Sequence, residues 1–309
     1  MMEEQQKTRF YIITPAYNAA QYIDETIVSV VTQAGDFSIR YHVQDGGSSD
    51  GTLAILQKWH NDLKDNPAVL FSYASEQDGG MYDAINKAFA ALDIPSNAFM
   101  GWINADDILF PGALSAVAEF AQNAAVDWVY GIPTNIDREG HLIGAFDSIF
   151  YPQALVAAGL ADGTHWSFFQ QEGSFFRKFL WDEVGGCDMR FRLAGDWDLW
   201  RRMAAICAPF KIAMILGAFR TRPGQLSANM TDYRDELEKN APLQDRQKSM
   251  IAHSLSHPLS ALQLESSGGL ATIPFTFKMR VRSLMLALSL KRTVRFIQAI
   301  LSRLRQLGR

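Results

Sequence analysis

Cysteine and histidine are scarce in this sequence, which has two cysteines and six histidines among 309 residues. Cys187 and Cys207 do not have CxxC spacing, which argues against a zinc knuckle and a disulfide framework and favours a reducing compartment. The histidines are scattered and no GxSxG sequence is present, so a Ser-His-Asp hydrolase is not indicated.

Long apolar runs are also absent. No stretch reaches the ~20 apolar residues that a membrane-spanning helix needs, and residues 1–9 are polar and lack the apolar core of a signal peptide. The hydrophobic fraction of 48% and the charged fraction of 20% are typical of a globular protein with a buried core. We therefore expect a cytoplasmic protein that forms one large domain or one domain with an appendage.

Negative charge is missing from the last part of the chain. The whole sequence has a formal net charge of -4, which argues against bulk nucleic-acid binding. After Glu265 the charged residues are all basic: Lys278, Arg280, Arg282, Lys291, Arg292, Arg295, Arg303, Arg305 and Arg309. We predict that residues 231–309 are helical, with breaks near 257–258 and 266–269, and that these basic amphipathic helices contact an anionic membrane surface. The alternative is that they pack on the rest of the chain or on a second subunit in a homodimer.

Short apolar runs alternate with segments of helical spacing in the first part of the chain. The runs at 10–13, 39–44, 69–74 and 99–103 predict four strands, each followed by a polar loop. This alternation predicts an α/β fold with a mainly parallel sheet, whose ligands bind at the carboxyl ends of the strands. Further along, the pattern predicts a strand at 126–130, a hairpin at 132–146, a helix at 151–160 and a strand at 211–219.

Residues 104–107, Asn-Ala-Asp-Asp, follow the fourth predicted strand. Mg²⁺ and Mn²⁺ prefer oxygen ligands, and magnesium sites often combine one or two carboxylates with substrate phosphates. The carboxylate pair therefore indicates a metal-diphosphate platform. The alternative is a turn with a helix cap, because Asp and Asn favour such positions. This stretch alone does not decide between the two.

The loop after the first strand argues against a dinucleotide-binding enzyme, because it does not have the GxGxxG sequence of that class. Pro15 instead restricts the backbone, and Tyr17 offers an aromatic face for a base or a sugar. Asp45, at the end of the second strand, is suited to accept a hydrogen bond from a base N–H. These residues indicate a nucleotide-binding edge of a different kind.

Five motifs occur in order along this part of the chain. They are TPAYN at 14–18, QDGGSSDGT at 44–52, SEQDGGMYDAINK at 75–87, NADD at 104–107 and GDWDLW at 195–200. Together they resemble the family-two inverting glycosyltransferases of the GT-A fold, which has a mixed, mainly parallel sheet flanked by helices. The resemblance implies a nucleotide-sugar donor, a divalent metal bound through a DxD-type motif, and a carboxylate that acts as general base. It also implies a GT-A domain at 1–230, with a nucleotide-binding half at about 8–125 and an acceptor half at about 126–230, before the helical extension at 231–309.

The resemblance further implies roles for individual residues. Those expected to contact the donor are Pro15, Ala16, Tyr17, Asn18, Asp45, Asp78, Lys87, Asn104, Ala105 and Asp106. Asp45 would recognise the base, most often uracil in such enzymes. Asp106 is the expected ligand of Mn²⁺ or Mg²⁺. Asn104 departs from the first Asp of the DxD motif, would contact the ribose and leaves the site one charge short, while Asp107 would orient the loop.

Asp196 in the GDWD sequence matches the base position of the family. An inverting reaction needs a base that takes a proton from the acceptor hydroxyl as this oxygen attacks the anomeric carbon. The alternative for Asp196 is N-capping of the helix that follows.

Three further groups have two interpretations each. Trp197 and Trp200 would stack on an acceptor sugar or pack in the core, with core packing favoured for at least one. The QQE sequence at 170–172 matches a segment near the acceptor, although Gln170 departs from the usual histidine. Arg220 and Arg222 would bind the diphosphate or pair with surface carboxylates.

These residues predict a metal-dependent glycosyltransferase of hexosyltransferase type. It would move a single sugar from a UDP-sugar to a glycan or lipid-linked glycan in cell-surface polysaccharide synthesis, in the cytoplasm or peripherally on the inner face of a membrane. No QxxRW motif of processive synthases is present, which favours single-sugar transfer. Two alternatives are a sugar nucleotidyltransferase, whose Gly-rich basic loop is missing after the first strand, and a non-catalytic nucleotide-sugar or glycan-binding protein.

Overall fold

The computed structural model describes residues 8–121, 123–256, 260–264 and 270–274. Its first part alternates strands and helices, as predicted. The elements are β1 (Thr8–Ala16), α1 (Ile23–Val31), β2 (Phe37–Asp45), α2 (Thr52–Leu63), β3 (Val69–Ser75), α3 (Met81–Ala90) and β4 (Phe99–Trp102). β1 lies between β2 and β4 and pairs parallel to both, and β3 pairs parallel to β2. The carboxyl ends of these four strands therefore lie along one edge of the sheet.

The central strand β1 is buried on both faces. Phe10 and Ile12 belong to a core that includes α1, whereas Tyr11 and Ile13 belong to a core that includes α3. Successive side chains of a strand point to opposite faces, so a strand covered on both sides is apolar without interruption. The apolar run at 10–13 therefore reflects helical layers on both sides of the sheet.

The second part of the chain makes the sheet mixed. Its elements are β5 (Ile108–Leu109), α4 (Ala113–Ala118), β6 (Trp128–Tyr130), β7 (Thr134–Ile136), β8 (Leu142–Ala145), α5 (Gln153–Ala157), β9 (Ser174–Arg177), α6 (Lys178–Val184), α7 (Gly195–Ala204), β10 (Phe210–Ile212) and β11 (Gly217–Arg220). β9 lies between β4 and β6 and is antiparallel to both, and β10 pairs parallel to β6. The strand predicted at 126–130 and the helix predicted at 151–160 are confirmed, although both are shorter than expected.

A second sheet of four strands has the order β5-β11-β7-β8. The predicted hairpin is confirmed, because β7 and β8 pair antiparallel. The strand predicted at 211–219 is instead two strands, because the chain leaves the main sheet after β10 and enters the small sheet as β11. β11 pairs antiparallel with β5, which follows directly on the loop at 104–107. This pairing places Arg220 beside that loop.

The prediction of helix throughout 231–309, apart from its two breaks, is wrong for two segments. After α8 (Met230–Asn240) and α9 (Leu243–Ser256) the chain forms β12 (Ser260–Leu264) and β13 (Leu270–Pro274). β12 pairs parallel to β10, and β13 pairs antiparallel to β12. The main sheet therefore has the order β13-β12-β10-β6-β9-β4-β1-β2-β3. Backbone hydrogen bonds to the edge of β10 outweigh the helix propensity of β12, whose Ala261, Leu262 and Gln263 are good helix formers.

The segment predicted to contact a membrane lies outside the described residues, since all of its basic side chains follow residue 274. In the ranges that the structure does describe, no helix is both long enough and apolar enough to cross a membrane. Membrane contact, the homodimer alternative and the domain boundary at 230 therefore stay predictions.

Candidate active site

The loops that follow β1 and β2 are joined through Asn18. Its backbone N–H donates to Ser48 Oγ at 2.7 Å, and its side-chain Oδ1 accepts from the Ser49 N–H at 2.9 Å. Asn18 has a φ of 46°, a left-handed conformation that Asn tolerates better than most residues. Pro15 and Ala16 are buried at the end of β1, whereas 67% of Tyr17 is exposed. Of the predicted TPAYN contacts, Tyr17 and Asn18 are therefore the exposed residues, and Tyr17 offers its ring to a base or sugar.

Asp45, the predicted base-recognition residue, is fully buried at the end of β2. Its Oδ2 accepts from the Gly47 N–H at 3.2 Å, the Ser48 N–H at 3.0 Å and the Ser75 hydroxyl at 2.6 Å. These bonds shape the loop after β2 and connect it to the end of β3. Base recognition by Asp45 stays a prediction.

Asp78 and Lys87 lie at the start and the last turn of the α3 region. Asp78 Oδ1 accepts from the Gly80 N–H at 2.8 Å, and a Cβ atom at Gly46 would lie 2.7 Å from Asp78 Oδ2. The missing side chain of Gly46 therefore lets the loops after β2 and β3 approach each other. Lys87 Nζ lies 3.2 Å from an Asp83 oxygen and 3.3 Å from the Gln77 carbonyl oxygen. Asp78 and Lys87, which are predicted to contact the nucleotide-sugar donor, thus stabilise the loop that precedes α3.

Asp107 organises the loop at 104–107 from within. This side chain is fully buried, and its Oδ1 accepts from the Arg220 N–H at 2.7 Å while its Oδ2 accepts from Asn104 Nδ2 at 3.0 Å. The predicted orienting role of Asp107 agrees with these bonds. Asn104 Oδ1 is also buried and has no hydrogen-bond partner. Ala105, which lies between Asn104 and Asp106 in the sequence, is buried, and the Asp106 side chain is 18% exposed.

The two arginines at the end of β11 and just after it differ in accessibility. Arg220 is fully buried, and it donates to the Asp106 carbonyl oxygen at 2.6 Å and to Glu25 Oε2 at 2.7 Å. This guanidinium is therefore occupied by protein groups and is not offered to a diphosphate. The Arg222 side chain is 32% exposed, and its Nε lies 2.6 Å from Asp106 Oδ2. Arg222 is the arginine that remains available to a ligand.

The oxygen atoms of the loop suit a divalent cation that takes most of its ligands from elsewhere. Among the described residues, no three His, Cys, Asp or Glu side chains form a group that would hold a metal ion. Asp106 supplies one carboxylate at the surface, and the unpartnered Asn104 Oδ1 lies two residues before it. Magnesium sites commonly combine one or two carboxylates with substrate phosphates and water. The loop therefore fits a metal that binds together with a diphosphate.

Glu172, in the turn before β9, forms a buried pair with Asp107. The two carboxyl groups hydrogen-bond each other, which requires a proton on one of them. Burial and then the charge of Glu172 raise the pKa of Asp107 well above its ordinary value, and burial also raises the pKa of Glu172. The negative charge of Asp196 also raises the pKa of Glu172, as a smaller effect than burial. The resemblance implies a place near the acceptor for Glu172, and no local pattern predicts its pairing with Asp107.

Asp196 lies in the first turn of α7 and is partly buried. Its Oδ1 accepts from the Trp197 N–H at 2.8 Å and lies 3.2 Å from the Tyr82 hydroxyl of α3. Burial raises the pKa of Asp196 to about 6. The N-cap residue of α7 is Ala194, so Asp196 is not the N-cap residue, although its carboxylate accepts from a first-turn N–H of this helix. The role of Asp196 as base stays a prediction. A carboxyl group with a pKa near neutrality is suited to take up a proton.

The other predicted members of the GDWDLW motif are structural. Trp200 is buried and stacks on Trp102 and Trp128, with ring centroids 5.2 and 5.5 Å apart. Trp197 is also buried and donates through Nε1 to the Gly159 carbonyl oxygen. Asp198 pairs with two arginines of its own helix at 2.8 and 2.7 Å. Core packing therefore explains both tryptophans, and sugar stacking explains neither.

Gln170 likewise has a structural role. Its side-chain amide exchanges two hydrogen bonds of 2.6 Å with the backbone N–H and C=O of Thr134, at the start of β7. The amide thus extends the small sheet. The departure from histidine at this position is compatible with the fold, because an amide offers both the donor and the acceptor that the strand end needs.

The sequence model of glycosyl transferase family 2 matches residues 11–185 of this chain, which is more than half of its length. The chain belongs to glycosyl transferase family 2. This confirms the family predicted from the five motifs. The match ends before α7, so Asp196 lies beyond the part of the chain that the family model covers.

Curated relatives include a chondroitin synthase and a biosynthetic glycosyltransferase. The chain is 28% identical over 211 residues to the chondroitin synthase of Escherichia coli, covering 65% of this chain and 27% of that protein. It is also 28% identical over 192 residues to a PGL/p-HBAD biosynthesis glycosyltransferase of Mycobacterium bovis strain BCG, covering 61% of this chain and 67% of that protein. The chain thus spans only about a quarter of the length of the chondroitin synthase.

Two solved structures with the same fold contain a bound nucleotide sugar. TarS residues 1–349 of S. aureus, in complex with UDP-GlcNAc, has a TM-score of 0.56 and 17% identity, covering 82% of this chain and 68% of that chain. The mannosyltransferase PcManGT of Pyrobaculum calidifontis, in complex with GDP-Man and Mn²⁺, has a TM-score of 0.54 and 18% identity, covering 92% and 71%. These likenesses confirm the predicted α/β fold of GT-A type.

Proposed function

We propose that this chain is an inverting glycosyltransferase that moves one sugar from a nucleotide-sugar donor to an acceptor hydroxyl. The observation that carries the proposal is the position of Asp196, a carboxyl group with a pKa raised to about 6. Tyr82 connects Asp196 to the first turn of α3, directly after the loop that contains Asp78. The predicted base therefore lies against the element that the motifs assign to the donor.

Asp196 acts as the general base. Partial burial keeps its carboxyl group basic enough to accept the proton of an acceptor hydroxyl near neutral pH. The hydroxyl oxygen attacks the anomeric carbon, the bond to the leaving diphosphate breaks, and the proton passes to an Asp196 oxygen. Tyr82 orients this carboxylate through its hydroxyl group, and its own pKa is raised by burial, so it remains a donor.

Asp106 is the protein carboxylate that would bind Mn²⁺ or Mg²⁺. Such a cation neutralises negative charge that develops on the leaving diphosphate. The PcManGT structure contains Mn²⁺ together with a nucleotide sugar, which supports this assignment. Arg222, beside Asp106, supplies a second positive charge at the same place.

The donor we favour is a UDP-sugar, and the acceptor a glycan or lipid-linked glycan of cell-surface polysaccharide synthesis. The UDP-GlcNAc complex of TarS supports the first choice, whereas the GDP-Man complex of PcManGT shows that the fold also accepts another base. The names of the curated relatives support the second. We place the enzyme in the cytoplasm, where its basic C-terminal residues would contact the inner face of a membrane. Vesicle flotation with anionic lipids tests this contact, and a chain that stays unbound would exclude it.

Substitution of Asp196 by Asn tests the assignment of the base. We expect donor hydrolysis or sugar transfer to fall by about 10²–10⁴-fold, because the amide cannot accept the proton. UDP should still raise the melting temperature of the variant as it does that of the wild type, which shows that the donor site is intact. Unchanged turnover would contradict the role of Asp196.

The same assays separate the two alternatives. A wild-type protein that UDP-sugars stabilise, but that transfers no sugar to water or to any glycan, would be a binding protein. Formation of a nucleotide sugar from a nucleoside triphosphate and a sugar phosphate would identify a nucleotidyltransferase.

A further inference from the structure

The chain segment before α7 is bound by a carboxylate from another helix. Glu236 of α8 accepts hydrogen bonds from three successive backbone N–H groups: Arg192 at 2.6 Å, Leu193 at 2.8 Å and Ala194 at 2.8 Å. The first bond goes to Oε1 and the other two go to Oε2. Both carboxylate oxygens are therefore used, and the segment they bind ends two residues before Asp196.

Helix α7 has no hydrogen-bonding side chain at its N-cap position. Its N-cap residue is Ala194, which cannot accept a hydrogen bond through its side chain. The first N–H groups of a helix have no partner within the helix, and the positive end of the helix dipole favours an anion there. Asp196 Oδ1 accepts from one of these groups, the Trp197 N–H, whereas Glu236 accepts from the three N–H groups at 192–194 that lead into α7. Glu236 therefore fixes the entry to the helix and places its negative charge at the N-terminal end of α7.

The position of Glu236 is fixed by packing of α8. Tyr233 and Leu237, on either side of Glu236 along the helix, are 8% and 2% exposed and belong to the core that also contains α3 and α7. The carboxylate thus projects from a helix that is itself anchored. α8 lies beyond the part of the chain that matches the family model.

We propose that Glu236 is a positioning residue for the reaction, which holds the segment before α7 so that the Asp196 carboxylate faces the acceptor hydroxyl. This inference rests on the proposed function of Asp196 as the base. The second contact to the same segment is the Tyr82 hydroxyl, which lies 3.0 Å from the Leu193 carbonyl oxygen and 3.2 Å from Asp196 Oδ1. Glu236 fixes the N–H groups of this segment, and Tyr82 joins one of its carbonyl groups to the base.

Glu236 also acts on Asp196 through its charge. Burial is the main cause of the raised pKa of Asp196, and the negative charge of Glu236 raises it further. The titratable groups that interact with Asp196 from the elements around it are Tyr82, Glu172, Cys187, Tyr233 and Glu236. Burial raises the pKa of Tyr82, Cys187 and Tyr233 so that they stay neutral near pH 7, whereas Glu172 shares a proton with Asp107.

The variant Glu236→Gln tests this inference, with Glu238→Gln as its matched control. Gln keeps the size of Glu but removes the charge and replaces one acceptor oxygen by an NH₂ group. Glu238 lies on the same helix and also accepts from a backbone N–H at a helix start, that of Leu243 at 3.0 Å, but it does not contact the segment before α7. Both variants thus lose a similar bond, and only one of them affects Asp196.

For Glu236→Gln we expect kcat for donor hydrolysis to fall by about ten- to a hundredfold, the size of effect that a small displacement of a catalytic group produces. KM for the donor should stay within about twofold, because the donor loops are not contacted. The acid limb of the pH–rate profile should shift to lower pH, since loss of the negative charge lowers the pKa of Asp196. Glu238→Gln should change neither kcat nor the midpoint of that limb.

Carbon-13 NMR of aspartate-labelled protein, with the Asp196 signal assigned by its loss in Asp196→Asn, tests the contact without turnover. We expect the Asp196 titration midpoint to be lower in Glu236→Gln than in the wild type, and unchanged in Glu238→Gln. A lowered midpoint in a protein whose Asp196→Asn variant remains active would support the contact while removing the proposed base. Identical midpoints and kcat values in the two glutamine variants would overturn the inference.

Discussion

At the scale of single residues, the main feature of the site is that Asp106 has two candidate partners. Its Oδ2 contacts Arg222 at 2.6 Å, and the same carboxylate is the expected ligand of a divalent cation. Because Asn104 replaces a second acidic residue, Asp106 is the acidic side chain on which both partners depend. A diphosphate would resolve this competition by accepting the guanidinium of Arg222, which leaves Asp106 to the metal.

Substitution of Arg222 by Gln should therefore have opposite effects on two ligands. Mn²⁺ should bind more tightly in the absence of nucleotide, by about three- to tenfold, because a competing cation has been removed. UDP should bind more weakly, by about tenfold or more, because a charge-assisted hydrogen bond is lost. Electron paramagnetic resonance of free Mn²⁺ and calorimetric titration with UDP measure the two changes.

Arg190→Gln is the control, since Arg190 is an exposed arginine that pairs with Asp188 instead. It should leave both affinities unchanged. An Arg222→Gln variant with the Mn²⁺ affinity of the wild type would show that Arg222 does not compete for Asp106.

At the scale of secondary structure elements, the site depends on the close contact of α3 and α7. A Cβ atom at Gly195 would lie 2.6 Å from the Tyr82 ring, closer than any real Cβ contact. Gly195 does not have a positive φ, so the requirement for glycine here comes from the neighbouring ring and not from the backbone conformation. The contact brings the Tyr82 hydroxyl within reach of Asp196 in the next position of the chain.

Gly195→Ala should therefore move Tyr82 and disturb the base. We expect the free energy of unfolding to fall by about 1–3 kcal/mol, as for other overpacked sites, and donor hydrolysis to fall with it. Denaturant unfolding and a hydrolysis assay measure these changes. Gly51→Ala is the control, because Gly51 also lies at a helix start and its added Cβ would meet only Ala20, at 3.5 Å. Equal stability of the two variants would contradict the steric argument.

At the scale of the whole molecule, the buried pair of Asp107 and Glu172 links folding to pH. These residues are 65 positions apart in the sequence (172 − 107) and meet because β5, β9 and β11 bring their loops together. Burial raises the pKa of both carboxyl groups above the values of about 4 that they have in an unfolded chain. This pair therefore binds more protons in the folded protein than in the unfolded chain above about pH 4.

The contribution of this pair to the free energy of unfolding should fall as the pH rises from the unfolded to the folded pKa values, by at most about 1.4 kcal/mol per pH unit for each proton. In Glu172→Gln this slope should flatten between about pH 5 and 8, because the new NH₂ group donates to Asp107 at every pH. Denaturant unfolding across this range measures the slope. Glu183→Gln removes an exposed carboxyl group and should keep the slope of the wild type. A slope in Glu172→Gln equal to that of the wild type would rule out the shared proton.

The sequence predicted the fold well where the signal is local. The apolar runs at 10–13 and 99–103 are strands of the predicted sheet, because alternation of strands with helices can be read within a short window. The prediction of helix was wrong after residue 256, where β12 pairs with the edge of β10 and β13 pairs with β12. β10 lies about 50 residues earlier in the chain than β12. The prediction of a single strand was also wrong within 211–219, where the chain changes sheets.

The sequence by itself determined the family, the GT-A fold and the candidate residues at the ends of the first four strands, because each motif is a short run whose chemistry is contained in its own residues. Only the tertiary structure decided which of these side chains are free. In the folded chain, Arg220 is buried against a loop 113 residues away, and Arg222 pairs with Asp106. Glu236 binds a segment 43 residues earlier in the sequence. The physical reason is that such contacts depend on how distant elements pack, and no local pattern records which distant residues will meet.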